Sequence, residues 1–200
     1  MTEAKPLEFW FEFASTYSYL SAMRVERIAQ QAGVKVAWRP FLLGPIFQAQ
    51  GWTDSPFNIY PAKGKYMWRD MERLCQKYGL TLKTPVAFPQ MSMLAARLAT
   101  AAEGEDWCPQ LVRAIYIANF AGQSDISDPA VLGSVLKMLG QSEHWLKRAV
   151  DQDVKDKLRT RTEEAVHLGL VGAPSFVSRG EVFWGNDRLE DAIAWHLQHA

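Results

Sequence analysis

Three short stretches of this chain carry side chains whose type and spacing could do chemistry. The first is Phe13-Ala14-Ser15-Thr16-Tyr17-Ser18, where an apolar run gives way to helical spacing. A helix start has unpaired backbone N–H groups and a partial positive charge, so a hydroxyl there lies where a thiolate or another anion is stabilised. Ser15 or Thr16 would serve equally as a plain helix cap, and the motif alone does not choose between the two. The second stretch, Gly172-Ala173-Pro174-Ser175-Phe176, sets a proline directly before a strand. Proline cannot donate to a β-ladder, so it is either an edge residue or sits on a cis bond that leaves the N–H and C=O of Ala173 to pair with an extended peptide. The third, Trp184-Gly185-Asn186-Asp187-Arg188-Leu189, is a polar turn opening a helix. Asn186 or Asp187 caps that helix, or the turn anchors a charged ligand, with an acid for an amino group and free N–H groups for a carboxylate.

Other chemistries find no support. His144, His167, His196 and His199 form no metal-binding spacing, and no nucleophile elbow or phosphate loop appears, so no metal site is expected. Cys75 and Cys108 are too far apart for a metal or dithiol motif and read as reduced thiols. Lys plus Arg and Asp plus Glu number 22 each, which leaves no long-range field to gather a polyanion, so neither nucleic acid nor a membrane surface is an expected partner. Glu3, Lys5 and Glu8 interrupt any apolar run near the start, which speaks against a secretory signal, and the expected location is cytoplasmic.

The elements that must position these stretches follow from periodicity. Residues 7–13 are apolar and aromatic except for Glu8 and Glu12 and read as a largely buried strand. Helical spacing predicts one helix over 17–32, stopped by Gly33, and a β-branched strand over 34–38 closes a βαβ unit. Pro40, Gly44, Pro45, Gly51, Pro56, Pro61 and Gly64 then predict a long irregular aromatic loop. Helices are expected over 65–78, 90–102, 107–120, 129–139 and 147–168, with Asp128 capping the fourth ahead of Pro129. Strands over 175–178 and 182–184 flank a tight turn, and a last helix covers 188–198. Strands at both ends and helices between them make one α/β domain interrupted by a helical insertion. The expected division is 1–45 and 151–200 for the α/β domain and 46–150 for the all-helical insertion.

These motifs recur together, in this order, in one family. Over essentially its whole length the chain resembles the 2-hydroxychromene-2-carboxylate isomerases, which belong with the kappa-class glutathione transferases and the DsbA-like oxidoreductases. The matching residues are Phe9 to Leu20, Gly172 to Phe176 and Trp184 to Leu189. The resemblance implies a thioredoxin-like domain with a large all-helical insertion, and glutathione as cofactor. Where the oxidoreductases have two cysteines separated by two residues, this chain has Ser15 and Ser18, so dithiol exchange is excluded at that place. The family pattern implies that Ser15 meets the glutathione sulfur, that Ala173 beside Pro174 pairs with the tripeptide backbone, and that Trp184, Gly185, Asn186 and Asp187 hold its γ-glutamyl end. Substrate contacts carry over to Ile46, Phe47, Asn58 and Phe88, and Lys63 falls where kappa-class relatives have a glutathione-contacting lysine. Thr16 replaces the usual proline, and Phe88 stands where relatives have tyrosine, which removes a hydroxyl from the substrate pocket.

The implied activity is a glutathione-dependent isomerisation of an aromatic 2-hydroxychromene-2-carboxylate-type substrate by thiolate addition, ring opening, bond rotation and elimination. Apolar walls for the substrate would come from the aromatic loop between Phe41 and Tyr60. Two alternatives stay open: a kappa-like transferase conjugating or reducing electrophiles, and a non-catalytic peptide-binding module. A homodimer is compatible with the sequence, which does not set the oligomeric state.

Overall fold

The computed structural model describes residues 5–199, so the reading of the chain start through Glu3 lies outside the described residues. The first strand, β1 (Leu7–Phe11), is buried at every position but Glu8. Strand alternation sends Leu7, Phe9 and Phe11 into one core and Trp10 into another. β2 (Val36–Pro40) pairs with β1 in parallel, Leu7 opposite Val36 and Phe11 opposite Pro40. On its other side β1 meets β3 (Ser175–Ser178) antiparallel, with Phe9 opposite Phe176, their rings stacked at 5.4 Å, and Phe9 also stacks on Phe11 at 5.2 Å. β4 (Glu181–Trp184) completes a sheet of order β2-β1-β3-β4. Because β1 leads the parallel pair, the residues that follow it emerge at the same sheet edge as those that follow β2, and Ser15 is among them.

The expected helix over 17–32 is two helices, α1 (Thr16–Ala22) and α2 (Val25–Gln31). At the break Arg24 is buried, donates to the Asn186 side-chain carbonyl at 3.0 Å, pairs with Glu190 and lies 4.1 Å over the Tyr78 ring. That demand comes from residues far along the chain, and helical spacing does not record it. The expected irregular loop holds three helix starts: α3 (Leu43–Ala49), α4 (Pro56–Ile59) and α5 (Pro61–Tyr78). Pro45 lies in the first turn of α3, and Pro56 and Pro61 are the first residues of α4 and α5, where a missing N–H costs nothing. Gly64 lets α5 close on α4, since a Cβ there would sit 2.3 Å from the Phe57 carbonyl oxygen.

The chain continues through α6 (Met93–Ala101), α7 (Cys108–Phe120) and α8 (Pro129–Met138), the last capped by Asp128, whose carboxylate accepts the Ala130 N–H at 2.8 Å as expected. The helix expected over 147–168 is also divided, into α9 (His144–Arg148) and α10 (Gln152–His167). Between them Asp151 is extended, and Arg148 bridges Asp151 and Asp153 at 2.7 and 2.8 Å. A 3₁₀ turn (Asn186–Arg188) leads into α11 (Leu189–Gln198).

Phe9 and Phe11 share one continuous core with Met67 and Met71 of α5, Leu98 of α6, and Leu111, Ile115, Tyr116 and Phe120 of α7. The helices between β2 and α10 thus pack directly on the sheet that carries Ser15, in the interrupted α/β arrangement that the strand and helix pattern implies. A smaller core gathers Trp10, Phe41, Ile46 and Ala165 on the other side. Among the described residues no helix is long and apolar enough to cross a membrane.

Candidate active site

Past Phe11 the chain leaves the sheet and turns into α1 with Ser15 as its N-cap, extended at φ −78° and ψ 118°. The Ser15 hydroxyl accepts the Ser18 N–H at 3.2 Å, satisfying one orphan donor of the first helical turn. Its own proton goes to the carbonyl of Ala173, 158 residues away, at 2.9 Å. Capping and a long-range contact are therefore both present, and the two readings of the motif coexist in one side chain. The Ala173–Pro174 peptide is cis. Pro174 accepts the Gly185 N–H at 2.9 Å, which ties the proline stretch to the polar turn. All three stretches singled out in the sequence meet at one sheet edge.

Within the polar turn the residues have separate employments. Asn186 is buried, and its side-chain carbonyl accepts from Ser21 Oγ at 3.1 Å and from Arg24 at 3.0 Å, so it fastens the turn to α1 and α2. Asp187 is exposed, with the exposed Arg188 guanidinium beside it at 3.1 Å. Gly185 takes φ +119°, and a Cβ there would lie 2.5 Å from the Asp187 carboxylate. Trp184 is 58% exposed, and its indole lies close against Gly172.

A methyl group at Gly172 would fall 2.6 Å from the indole nitrogen of Trp184 and 3.0 Å from its Cε2. Gly172→Ala should therefore displace the indole or the stretch leading to Pro174, at a cost of about 1–3 kcal/mol. Urea unfolding with tryptophan fluorescence checks this, and an unchanged midpoint would mean that the indole swings aside freely.

On α1 the Tyr17 hydroxyl donates to Asp70 at 3.0 Å, and burial followed by that bond pushes its phenol well above the ordinary range. The Tyr17 ring lies 6.5 Å from that of Phe57 on α4. Asn58 and Phe88 come together, since the Asn58 amide donates to the Phe88 carbonyl at 3.2 Å as well as to Asp54 at 3.1 Å. The Phe88 ring is edge-on to Trp68 at 5.0 Å. Lys63 is exposed, its ammonium 4.5 Å over the Tyr60 ring. Phe47 packs on Trp52 at 5.6 Å, whereas Ile46 is 3% exposed and belongs to the core with Trp10 and Phe41, against which Ala173 also packs. A cleft of ≈ 390 Å³ between α3, α6 and α10, lined by Leu42, Met93, Arg97, Leu158 and Val166, includes no residue of the three motifs.

Neither native thiol is suited to nucleophilic work. Burial pushes Cys75 up to about 11 and Cys108 up to about 12. Sequence reasoning missed a different group, Glu12, whose carboxyl lies in the turn just before Ser15. It accepts the Ala14 N–H at 2.8 Å and the Ser92 hydroxyl, and burial raises it to about 7 against the lowering effect of those bonds. The signal was an acid inside the run Phe9-Trp10-Phe11-Glu12-Phe13, immediately ahead of a cap serine.

The family model of the DSBA-like thioredoxin domain matches residues 6–194. The 2-hydroxychromene-2-carboxylate isomerase of Sphingobium xenophagum is 29% identical over 188 residues, covering 93% of this chain and 95% of that one. Glutathione S-transferase kappa 1 of Rattus norvegicus is 26% identical over 199 residues, covering 92% and 87%. Among solved structures, one of a 2-hydroxychromene-2-carboxylate isomerase superposes with a TM-score of 0.86 over 98% of this chain and 97% of that chain, at 22% identity, a likeness of fold.

Proposed function

The chain belongs to the DSBA-like thioredoxin domain family, and from that premise we propose that it is a cytoplasmic, glutathione-dependent isomerase of 2-hydroxychromene-2-carboxylate-type aromatic substrates. The observation that carries this reading is the bond from Ser15 Oγ to the Ala173 carbonyl beside the cis Pro174, in a turn with serine at both Ser15 and Ser18. With no sulfur in that turn, the reactive thiol has to arrive with a ligand.

The donor set suits a γ-glutamyl tripeptide thiol. Asp187 offers an exposed carboxylate to an α-ammonium, Ala173 offers a carbonyl to a peptide N–H, and Ser15 offers a hydroxyl to sulfur. Asn186 supports that set from behind through Ser21 and Arg24. Lys63 adds an exposed cation, and Phe57, Phe88 and Trp68 add aromatic surface for the substrate. Bound glutathione would supply a thiolate nucleophile that adds to the substrate and is later expelled, leaving a rotated bond.

Ser15 has a single proton, and in this structure that proton goes to Ala173. A peptide N–H arriving at the Ala173 carbonyl would take over as its donor and release the Ser15 proton toward sulfur. Backbone pairing and thiolate stabilisation are coupled in this way: a ligand that lacks the peptide N–H leaves the hydroxyl engaged. A free thiol has a pKa of about 8.5, so a redirected hydroxyl at a helix start raises the thiolate fraction near neutrality.

The kappa-class relative at 26% identity favours a second reading, in which an electrophile stays on the sulfur. Product masses separate the two, since an isomer keeps the substrate mass and a conjugate gains that of glutathione. The common premise is tested by thermal shift. Glutathione at a hundred times its dissociation constant should add about 2.7 kcal/mol, which for a chain of this size raises the melting temperature by roughly 5–10 °C. S-methylglutathione should give a smaller shift, because it offers no thiolate to Ser15. Absence of any shift at millimolar glutathione would remove the reading.

A further inference from the structure

The turn before Ser15 is held from behind by groups that the proposed reading leaves unused. Glu12 is 5% exposed. One carboxylate oxygen accepts the Ala14 N–H at 2.8 Å, and the other accepts the Ser92 hydroxyl from the start of α6. The Glu12 main-chain carbonyl accepts the Ser15 N–H at 3.0 Å and the Tyr116 hydroxyl at 2.8 Å. Asn119, one turn along α7, donates to the next carbonyl, that of Phe13, at 3.0 Å. Thus each peptide unit leading to Ser15 is fixed, and the Glu12 side chain is the group that holds Ala14.

A buried carboxylate is ordinarily matched by a cation. Among the described residues Glu12 has none: its partners are the backbone amides of Ala14 and Ser15 and the Ser92 hydroxyl. Of the groups facing it, Ser92 from α6 and Asn119 from α7 do not titrate. Tyr116 from α7 does, but burial first and the Glu12 charge second hold its phenol well above its ordinary value. Among the described residues no cation pairs with Glu12.

We propose that Glu12 is a positioning residue of the thiol site, an uncompensated carboxyl that fixes the Ala14–Ser15 turn and whose charge governs how readily a thiol at Ser15 ionises. The proposal rests on the reading of Ser15 as the place of the sulfur. An ionised carboxylate held on the backbone amides of Ala14 and Ser15 opposes a thiolate at Ser15, and a protonated one does not, so the two groups titrate as a coupled pair. Because burial brings Glu12 up to about 7, the coupling falls in the range where the thiol itself ionises. Thiolate formation is then spread over a wide pH interval rather than completed in one step.

A sulfur placed in the chain tests this without glutathione. In a Ser15→Cys variant the far-ultraviolet absorbance of the thiolate is followed against pH, and again with Glu12→Gln added. The native thiols do not interfere, since burial holds Cys75 and Cys108 at about 11 and about 12. The added Glu12→Gln should move the thiol midpoint down by roughly one pH unit and sharpen a broad curve to a single step. A purely structural Glu12 would change the melting temperature and leave the thiol curve in place. Superimposable curves from two folded proteins would overturn the proposal. If the combination with Glu12→Gln does not fold, Ser92→Ala replaces it: loss of the hydroxyl that donates to the carboxylate raises the pH at which Glu12 ionises, and the early part of the thiol curve should steepen. An unchanged curve there overturns the proposal as well. Glutathione binding, measured separately by the thermal shift, decides the Ser15 reading, so the two failures are told apart.

Discussion

Ser15→Ala should lower isomerase turnover near neutral pH by roughly ten- to a hundredfold while the protein stays folded. The rate effect follows from losing one hydrogen bond to a charged group, worth about 1.5–3 kcal/mol, if that bond acts mainly on the thiolate in the transition state. The structural cost is smaller. Ser15 caps α1 through the Ser18 N–H and holds the Ala173 carbonyl, and losing a cap costs about 1 kcal/mol, with a neutral hydrogen bond worth a similar amount. For a chain of this size that lowers the melting temperature by roughly 4–8 °C, too little to unfold it at assay temperature. Ser18→Ala is the control, since Ser18 is buried within α1. Steady-state turnover on a 2-hydroxychromene-2-carboxylate, with the thiolate absorbance of bound glutathione followed against pH, checks both halves. Turnover within twofold of the parent, with the same thiolate titration, would withdraw Ser15 from the chemistry and leave it a cap.

A second large effect concerns stability. The Glu12 carboxyl keeps its proton up to about 7 in the folded chain and releases it near 4.5 when unfolded. Between those values the native state binds more protons than the unfolded state, so Glu12 makes stability fall as pH rises through that interval, and the loss is complete just above 7. The difference corresponds to about 3 kcal/mol. Glu12→Gln removes the titrating group, and its neutral amide can still accept the Ala14 N–H. Relative to the parent, the variant should therefore gain stability steadily from about pH 4.5 to about pH 7.5, equivalent to roughly 6–12 °C in melting temperature at the upper end. Paired melting curves over that range give the answer. Parallel pH profiles for the two proteins would mean that water or another group relieves the buried charge.

The two predictions meet in one short turn whose residues differ in how openly the sequence displays them. Ser15 is visible because a hydroxyl at the junction of an apolar strand and a helical repeat is a local pattern. Pro174 and the Trp184 to Leu189 turn are visible for the same reason, and their joint order carries the resemblance to the isomerase and kappa-class family that the comparisons bear out. Glu12 is different. Its residue type and place were plain, but an acid within a largely buried strand shows no role until α6 and α7 are packed over it. Asn186 reads as a ligand or cap residue until Arg24 and Ser21 are brought against it.

The sequence by itself determined the strands at its two ends, the helices between them, the stretches that meet at the sheet edge and the absence of a sulfur from the turn at Ser15. These are short-range properties: side-chain alternation, helical spacing and cap chemistry act over a few residues, so a single chain displays them. Only the tertiary structure decided where helices break and begin. Arg24 interrupts a continuous apolar repeat because its partners lie more than 150 residues on, and Pro45, Pro56 and Pro61 open helices instead of ending them because neighbouring elements stabilise those short first turns. It also decided that Ile46 fills a core and that the carboxyl of Glu12 lies without a cation behind Ser15. Burial and charge pairing depend on which distant surfaces close over a residue, and no local pattern encodes that.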